Sequence, residues 1–301
     1  MHSFCTLFNS NYLTRGLTMY DSLCRTEECF TLFIFCFDDL AYEMLRSLNL
    51  KNAVLITLNE FETDELKEVK KLRSEAEYCW TCTPHVIRHV LDNYDVKEVT
   101  YLDADLYFFN KPSILLDEFH QSNCSVMITE HRYSPEYDQS DTFGIYCVQF
   151  ITFKADNHGL KVLQWWEDRC LEWCYNRVED GKFGDQKYLD RWPDLFVGVH
   201  VLQHLGGGVA CWNIQQYEVT DGPQVCGVPI VFYHFHQLRW DTAYQFDYGV
   251  YELSQEAISL IYGPYIQALR EQIDMIVQLY DQFKDNYTKD NSEYDITGAL
   301  K

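Results

Sequence analysis

Short, almost wholly apolar runs alternate with longer amphipathic stretches over the first third of the chain. Residues 4–8, 30–37 and 53–58 are aliphatic, aromatic or β-branched with scarcely a polar break, the texture of strands covered on both faces of a parallel sheet. Between them, Leu13, Leu17, Tyr20 and Leu23 recur at helical spacing behind the polar cluster Asn9-Ser10-Asn11, which is suited to capping a helix that begins near Tyr12. Asp38 and Asp39 open a second helix bearing Leu40, Met44, Leu45 and Leu48. The charged segment 60–72 predicts a surface helix. The segment 84–93 predicts another, with Pro84 in its first turn and Val86, Val90 and Leu91 turned inward. That helix delivers the chain to Val99-Thr100-Tyr101-Leu102, a buried strand that runs into Asp103-Ala104-Asp105 and returns to apolar character at Leu106. Strand and helix in alternation imply right-handed βαβ units, which bind ligands at the carboxyl ends of their strands. Residues 9–12, 38–39 and 103–105 collect at that edge.

The later chain has a different texture. Residues 125–129 and 145–153 predict strands, and 160–177 a helix that buries Leu163, Trp166, Cys170, Trp173 and Cys174. A strand over 228–233 ends at His234, and a helical pattern runs from Leu253 to about Phe283 with an interruption at Gly263-Pro264. The pattern divides the chain into an α/β unit over 1–245, whose halves meet near residue 110, a helical extension over 246–285 and a polar tail over 286–301. No internal repeat is present. Gly206-Gly207-Gly208 is too short and wrongly spaced for a dinucleotide fingerprint or a P-loop.

Charge narrows the partners. The 301 residues carry 46 acidic and 24 basic side chains, a net charge of −22, which argues against nucleic acid and anionic membrane surfaces. An anionic small molecule remains compatible, because a bound metal and a few cations reverse the field locally. No signal peptide and no apolar run of membrane-spanning length is visible, so a cytoplasmic chain is expected and its 12 cysteines read as reduced thiols. Cys79-Trp80-Thr81-Cys82 has redox spacing, but no strand leads into it and no second such pair completes a zinc site.

The candidate chemistry centres on Asp103 and Asp105. In extended backbone their side chains share one face and Ala104 takes the other. Two carboxylates at the end of a buried strand repel each other and lose hydration unless a cation lies between them; oxygen ligands of this kind suit magnesium or manganese. Two other readings are a solvated turn and a phosphatase-type nucleophile. The second expects Thr or Val where Tyr107 stands.

The first strand, Asn11-Tyr12, Leu102-Asp103-Ala104-Asp105, Asp185-Gln186 and His234-Phe235 follow in an order that resembles nucleotide-sugar glycosyltransferases of the GT-A fold. Family 8, with glycogenin and the lipopolysaccharide galactosyltransferases, is the nearest pattern, over about residues 4–240. The resemblance implies an α/β fold: a mixed GT-A sheet flanked by helices, with a C-terminal helical extension. It implies a metal-dependent enzyme that moves a sugar from a nucleotide diphosphate donor, a UDP-hexose, to a glycan or other hydroxyl acceptor with retention of configuration. By the same resemblance Tyr12 stacks on uracil, with Asn9 (where relatives often have Asp) and Asn11 beside it. Asp103, Asp105 and His234 hold Mn²⁺ or Mg²⁺, and the Asp103-Ala104-Asp105 segment meets the donor. Asp185 holds donor-sugar hydroxyls and Gln186 sits under the reacting face. Cys147 occupies a donor-sugar position where relatives have Asn, which leaves the sugar open.

The run His234-Phe235-His236-Gln237-Leu238-Arg239-Trp240 keeps the family's His-Phe start but not its glycine, lysine and proline. Arg239 is the candidate replacement for the lysine as a diphosphate clamp, and His236 reads as structural. Glu130 and His131 are candidates to face donor or acceptor, and Trp212 is either a sugar platform or core. The C-terminal helices are a candidate surface for a homo-oligomer. Rival readings are an inverting transferase with Glu130 or Asp185 as base, a nucleotidyltransferase, for which the glycine-bearing loop after the first strand is missing, and a catalytically silent sugar-nucleotide or glycan binder.

Overall fold

The computed structural model describes residues 1–241 and 245–287, with side chains through residue 280. Its centre is a seven-stranded sheet of order β3-β2-β1-β4-β7-β6-β8. The strands are β1 (His2–Phe8), β2 (Phe30–Cys36), β3 (Ala53–Thr57), β4 (Glu98–Leu102), β6 (Val126–Glu130), β7 (Tyr146–Lys154) and β8 (Val199–Val201), while β5 (Leu106–Phe108) leaves this sheet. The strands β1 to β4 pair in parallel, and β7 runs antiparallel between β4 and β6. Helices cover both faces, as the α/β pattern predicts. On one face α5 (Glu75–Asn93) and α8 (Asn157–Glu172) bury Val86, Val90 and Trp166. On the other, α1 (Leu13–Thr26), α2 (Asp39–Leu48) and α6 (Ser113–Ser122) bury Leu17, Met44 and Phe119, joined by Ile276 from α11 (Gly263–Tyr287).

Several element boundaries differ from the sequence expectation, each for a local reason. The single helix expected over 60–72 is two, α3 (Leu58–Phe61) and α4 (Asp64–Lys70), because Thr57 and Thr63 each cap a separate helix start. Helix α5 begins at Glu75 rather than Pro84: Ser74 and Glu77 form a reciprocal capping box, and Pro84 lies inside the helix at the cost of one backbone hydrogen bond. Cys79 and Cys82 therefore sit one turn apart on a helix, and all the cysteines are free thiols. Asp156 starts α8 by accepting from His158 and Gly159, and the helix ends at Glu172; Trp173 and Cys174 leave it yet stay buried.

The segment expected as one strand over 228–233 is split. Val228–Pro229 closes a three-stranded ribbon, and His234 lies inside the next strand, β13 (Phe232–His234), rather than after it. At Gly263-Pro264 the chain stays helical: a π-helical turn at Ile258–Tyr262, closed by the Gly263 amide on Ile258 O, leads directly into α11, and Pro264, which has no amide donor, follows that turn. The polar tail from residue 288 onward lies outside the described residues. No described helix is long and apolar enough to cross a membrane.

Candidate active site

The carboxyl edge of the sheet is tied together before any site residue is considered. Asn9 caps a 3₁₀ turn (Ser10–Tyr12), its Oδ1 accepting from the Tyr12 amide at 3.3 Å. Asp38 accepts from the Ala41 amide at 2.7 Å with one oxygen and from the Ser10 amide at 2.8 Å with the other. The loops after β1 and β2 thus form one rim.

Strand β4 stops at Leu102, and residues 103–105 turn the chain into β5, which joins a second sheet of order β5-β13-β9, where β9 is Val209–Ala210. This corrects the strand-alternation reading: Asp103 and Asp105 converge because the backbone turns between them. The Asp103 amide still donates to Gln149 O at 3.0 Å, which holds the turn against β7. Strand β13 pairs antiparallel with β5, His234 opposite Leu106, and the Phe235 amide donates to Asp105 O at 3.0 Å. This pairing sets His234 Nε2 at 3.1 Å from Asp105 Oδ1 and 3.9 Å from Asp103 Oδ2. One ligand atom from each of the three lies within 4.8 Å of the others. The far ring nitrogen, Nδ1, is 2.9 Å from Gln149 Oε1. A carbonyl acceptor there requires Nδ1–H, so Nε2 is the nitrogen presented to a metal. Two carboxylates and one imidazole form a donor set that fits manganese or magnesium.

Electrostatics agree with a cation at this point. Burial pushes the Asp103 carboxyl up, to about 6, with Asp105 adding to the rise and His234 resisting it. Burial acts upward on Asp105 too, but the charge and hydrogen bond of His234 outweigh it and hold Asp105 near about 2. Burial alone would lower His234, yet Asp105 raises it well above the ordinary histidine value. The imidazolium thus stands where a metal's charge would. Burial, then the neighbouring charge of Asp103, lifts Asp185 to about 7. His131 is pulled down to about 3 and His236 to about 4, mainly by burial, so both are neutral near pH 7.

These groups open onto a cavity of about 710 Å³. Asn9, Asn11, Tyr12, Asp185 and Gln186 line it. Asp103, Ala104, Asp105, Cys147 and His234 line it as well. His131, Trp212 and His236 also border it, whereas Glu130 does not. Trp212 is both wall and core: it is 4% exposed, donates from Nε1 to His131 O at 2.9 Å and stands edge-on to His234. Cys147 is buried and hydrogen-bonded to His234. Gln186 Nε2 donates to Phe143 O at 2.8 Å.

Arg239 is not among the lining residues; its side chain is exposed on a two-stranded ribbon. A cation that sequence reasoning missed is Arg15, which does not line the cavity either but is only 8% exposed and lies behind Tyr12, close enough to help lower the Asp105 pKa. Its guanidinium carbon lies 4.8 Å from the Tyr12 ring centre and 4.1 Å from that of Trp240, and Nη2 donates to Leu238 O at 3.2 Å. A basic residue three positions after Tyr12, beside the apolar stripe of Leu13 and Leu17, was the available signal. Gln149 was missed as well. The glycine run has a packing role: a Cβ on Gly208, which has φ +76°, would lie 2.5 Å from Thr129 Cγ2.

No protein-family model matches the chain. It is 31% identical over 293 residues to the uncharacterized protein YfnD of Bacillus subtilis (strain 168), covering 94% of each chain. A second protein of that strain, YfnF, is 31% identical over 303 residues, 97% of this chain and 99% of its own. The chain belongs to the family of YfnD and YfnF. Among solved structures, the galactosyltransferase LgtC in complex with donor and acceptor sugar analogues superposes with a TM-score of 0.55 at 9% identity, covering 89% of this chain and 95% of LgtC. The glycosyltransferase GlyE of Streptococcus pneumoniae TIGR4 gives 0.54 at 14% identity, over 91% of this chain and 63% of GlyE. Mouse xyloside xylosyltransferase 1 gives 0.51 at 14%, over 78% and 98%. The YfnD/YfnF family member described here has the GT-A glycosyltransferase fold, as its motifs imply.

Proposed function

We propose that this family member is a metal-dependent glycosyltransferase that moves a hexose from UDP to a glycan or other hydroxyl acceptor with retention of configuration. One observation carries the reading: Asp103, Asp105 and His234 bring their ligand atoms together on the wall of a cavity that Tyr12, Asp185 and Gln186 also line. Manganese or magnesium held by those three would supply positive charge against the departing diphosphate. Tyr12, with 46% of its surface exposed, offers a ring face for a base, and Arg15 behind it adds fixed positive potential.

Asp185 is 6% exposed and holds its carboxyl against the Thr83 hydroxyl; it is the group assigned to the hydroxyls of the donor sugar. Gln186, whose Nε2 is committed to Phe143 O, keeps its carbonyl oxygen for a ligand. An amide is not a general base, which favours a retaining course in which the acceptor proton passes to a diphosphate oxygen. The test is incubation with a panel of UDP-hexoses and manganese, with release of UDP as the readout. Slow hydrolysis by the parent chain and none by Asp105→Asn is expected. Turnover that survives Asp105→Asn or exhaustive chelation would overturn the proposal.

A further inference from the structure

Trp212 offers little face to a sugar: it is 4% exposed, and its N–H is committed to His131 O. A different indole is open. Trp80, from the Cys79-Trp80-Thr81-Cys82 run on α5, lines the cavity and is half-buried, and its Nε1–H has no hydrogen-bond partner among the described residues. Its ring centre lies 6.1 Å from that of Phe183, which stands edge-on to Phe143 at 4.6 Å. All three rings line the cavity. Gly184, at φ +50°, lays its backbone against the indole, where a Cβ would fall 3.4 Å from Trp80 Cε3. Asp185 and Gln186 follow directly, and Gln186 Nε2 is held by Phe143 O. The aromatic wall thus begins at the residues assigned to the reacting sugar. It ends at solvent: Ala76, one turn before Trp80 on the same face of α5, and Asn176 both line the cavity and are exposed.

We infer that the wall of Trp80, Phe183 and Phe143 is the acceptor subsite and that it takes an uncharged pyranose ring of a glycan. The inference rests on the glycosyltransferase reading above and chooses among the acceptors it leaves open. One face of a pyranose presents chiefly C–H hydrogens, faintly positive and poorly hydrated, and the face of an indole is apolar and negative. Stacking buries both, while hydroxyls at the sugar's edge meet the Trp80 N–H and the Asn176 amide. A ring stacked there adjoins Gln186, and the rest of the glycan runs out past Ala76 and Asn176. A donor sugar, tethered through its diphosphate to the metal ligands, needs no such exit. Charge decides the second half of the inference. The described lining residues include the carboxyl groups of Glu75, Asp103, Asp105 and Asp185 and no Lys or Arg. Arg177, next to Asn176, is paired with Glu179 at 2.8 Å. A metal offsets the diphosphate, but a uronate or phosphate on the acceptor would meet uncompensated negative potential.

The experiment measures UDP release from a UDP-hexose that the full chain hydrolyses with manganese. Neutral methyl hexopyranosides and disaccharides, a methyl glucuronoside and 1-octanol are added in turn. At least one neutral sugar should accelerate release saturably, and the glucuronoside and the alcohol should not. Trp80→Ala should raise the KM of that sugar about tenfold, the worth of one aromatic contact, while UDP titrated with manganese binds within about threefold of the parent. Trp80→Phe, which keeps a ring face without the N–H, should fall between. An acceptor KM unchanged in both variants overturns the inference. So does acceleration by none of the compounds, or by octanol or the glucuronoside in place of the neutral sugars. Loss of UDP binding in both variants assigns the indole to the nucleotide and overturns it too. Each of these outcomes leaves the glycosyltransferase reading intact. If no UDP-hexose is hydrolysed, that reading fails and the inference falls with it.

Discussion

Gln149 Oε1 lies 2.9 Å from His234 Nδ1, and this contact decides which imidazole nitrogen faces Asp103 and Asp105. An outer partner of this kind fixes the tautomer and the ring angle of a metal-binding histidine. Gln149→Leu should therefore weaken manganese binding by roughly 10–100-fold while circular dichroism shows the fold retained. Titration calorimetry with the metal alone is the measurement, and unchanged affinity would show that Gln149 merely fills space.

Metal binding should release protons. Asp105 raises the folded-state pKa of His234 well above its ordinary value, so at neutral pH Nε2 carries a proton that a metal must displace. The stabilisation from this shift is fully present below the unfolded pKa and is lost as pH rises through the folded one. The metal-free protein thus loses this contribution on the alkaline side, where the metal competes best. The rise in Tm on adding manganese should be larger at about pH 8 than at about pH 6.

Asp185 should trade stability for function. Its folded pKa is raised to about 7 from an ordinary 3.8, so folding takes up a proton between those values and the carboxyl destabilises the native state increasingly as pH rises through that window. Asp185→Asn should melt a few degrees above the parent at pH 8 and show no advantage below about pH 4. Its kcat/KM with a UDP-hexose should fall by at least about tenfold. Thermal scans across pH read the first effect, and UDP release reads the second.

Tyr12→Ala should weaken UDP binding by about 1–3 kcal/mol, the worth of one base–aromatic stack. Tyr12→Phe should stay close to the parent, because the ring face rather than the hydroxyl is in use. Fluorescence or calorimetric titration with UDP distinguishes them, and equal losses in both variants would point to the hydroxyl.

The early chain was legible because its information is local. Periods of two and 3.6, the polar caps at Asn9 and Asp38, and the apolar approach to Asp103 all lie within a few residues of the feature they specify. These signals determined the alternation of strands and helices, the edge at which ligands collect, and the candidacy of Asp103 and Asp105; that of Tyr12 and His234 came from the order of motifs that resembles the GT-A family. Even so, local reading misjudged element ends wherever a capping residue competed with a breaker: Ser74 and Glu77 carry α5 through Pro84, and Thr63 starts a fresh helix.

The tertiary structure alone decided how the site is assembled. Asp103 and Asp105 meet through a turn rather than by alternation; His234 reaches them because β13 pairs with β5; and β7, lying antiparallel beside β4, supplies Gln149 from 85 positions away in the chain. The same holds for Glu75 on Asn9 and for Arg15 between Tyr12 and Trp240. Apart from the Asp103–Asp105 turn and the local Tyr12–Arg15 step, each joins side chains whose separation in sequence carries no periodic trace, because strand pairing and helix docking, not local propensity, set the distance between them.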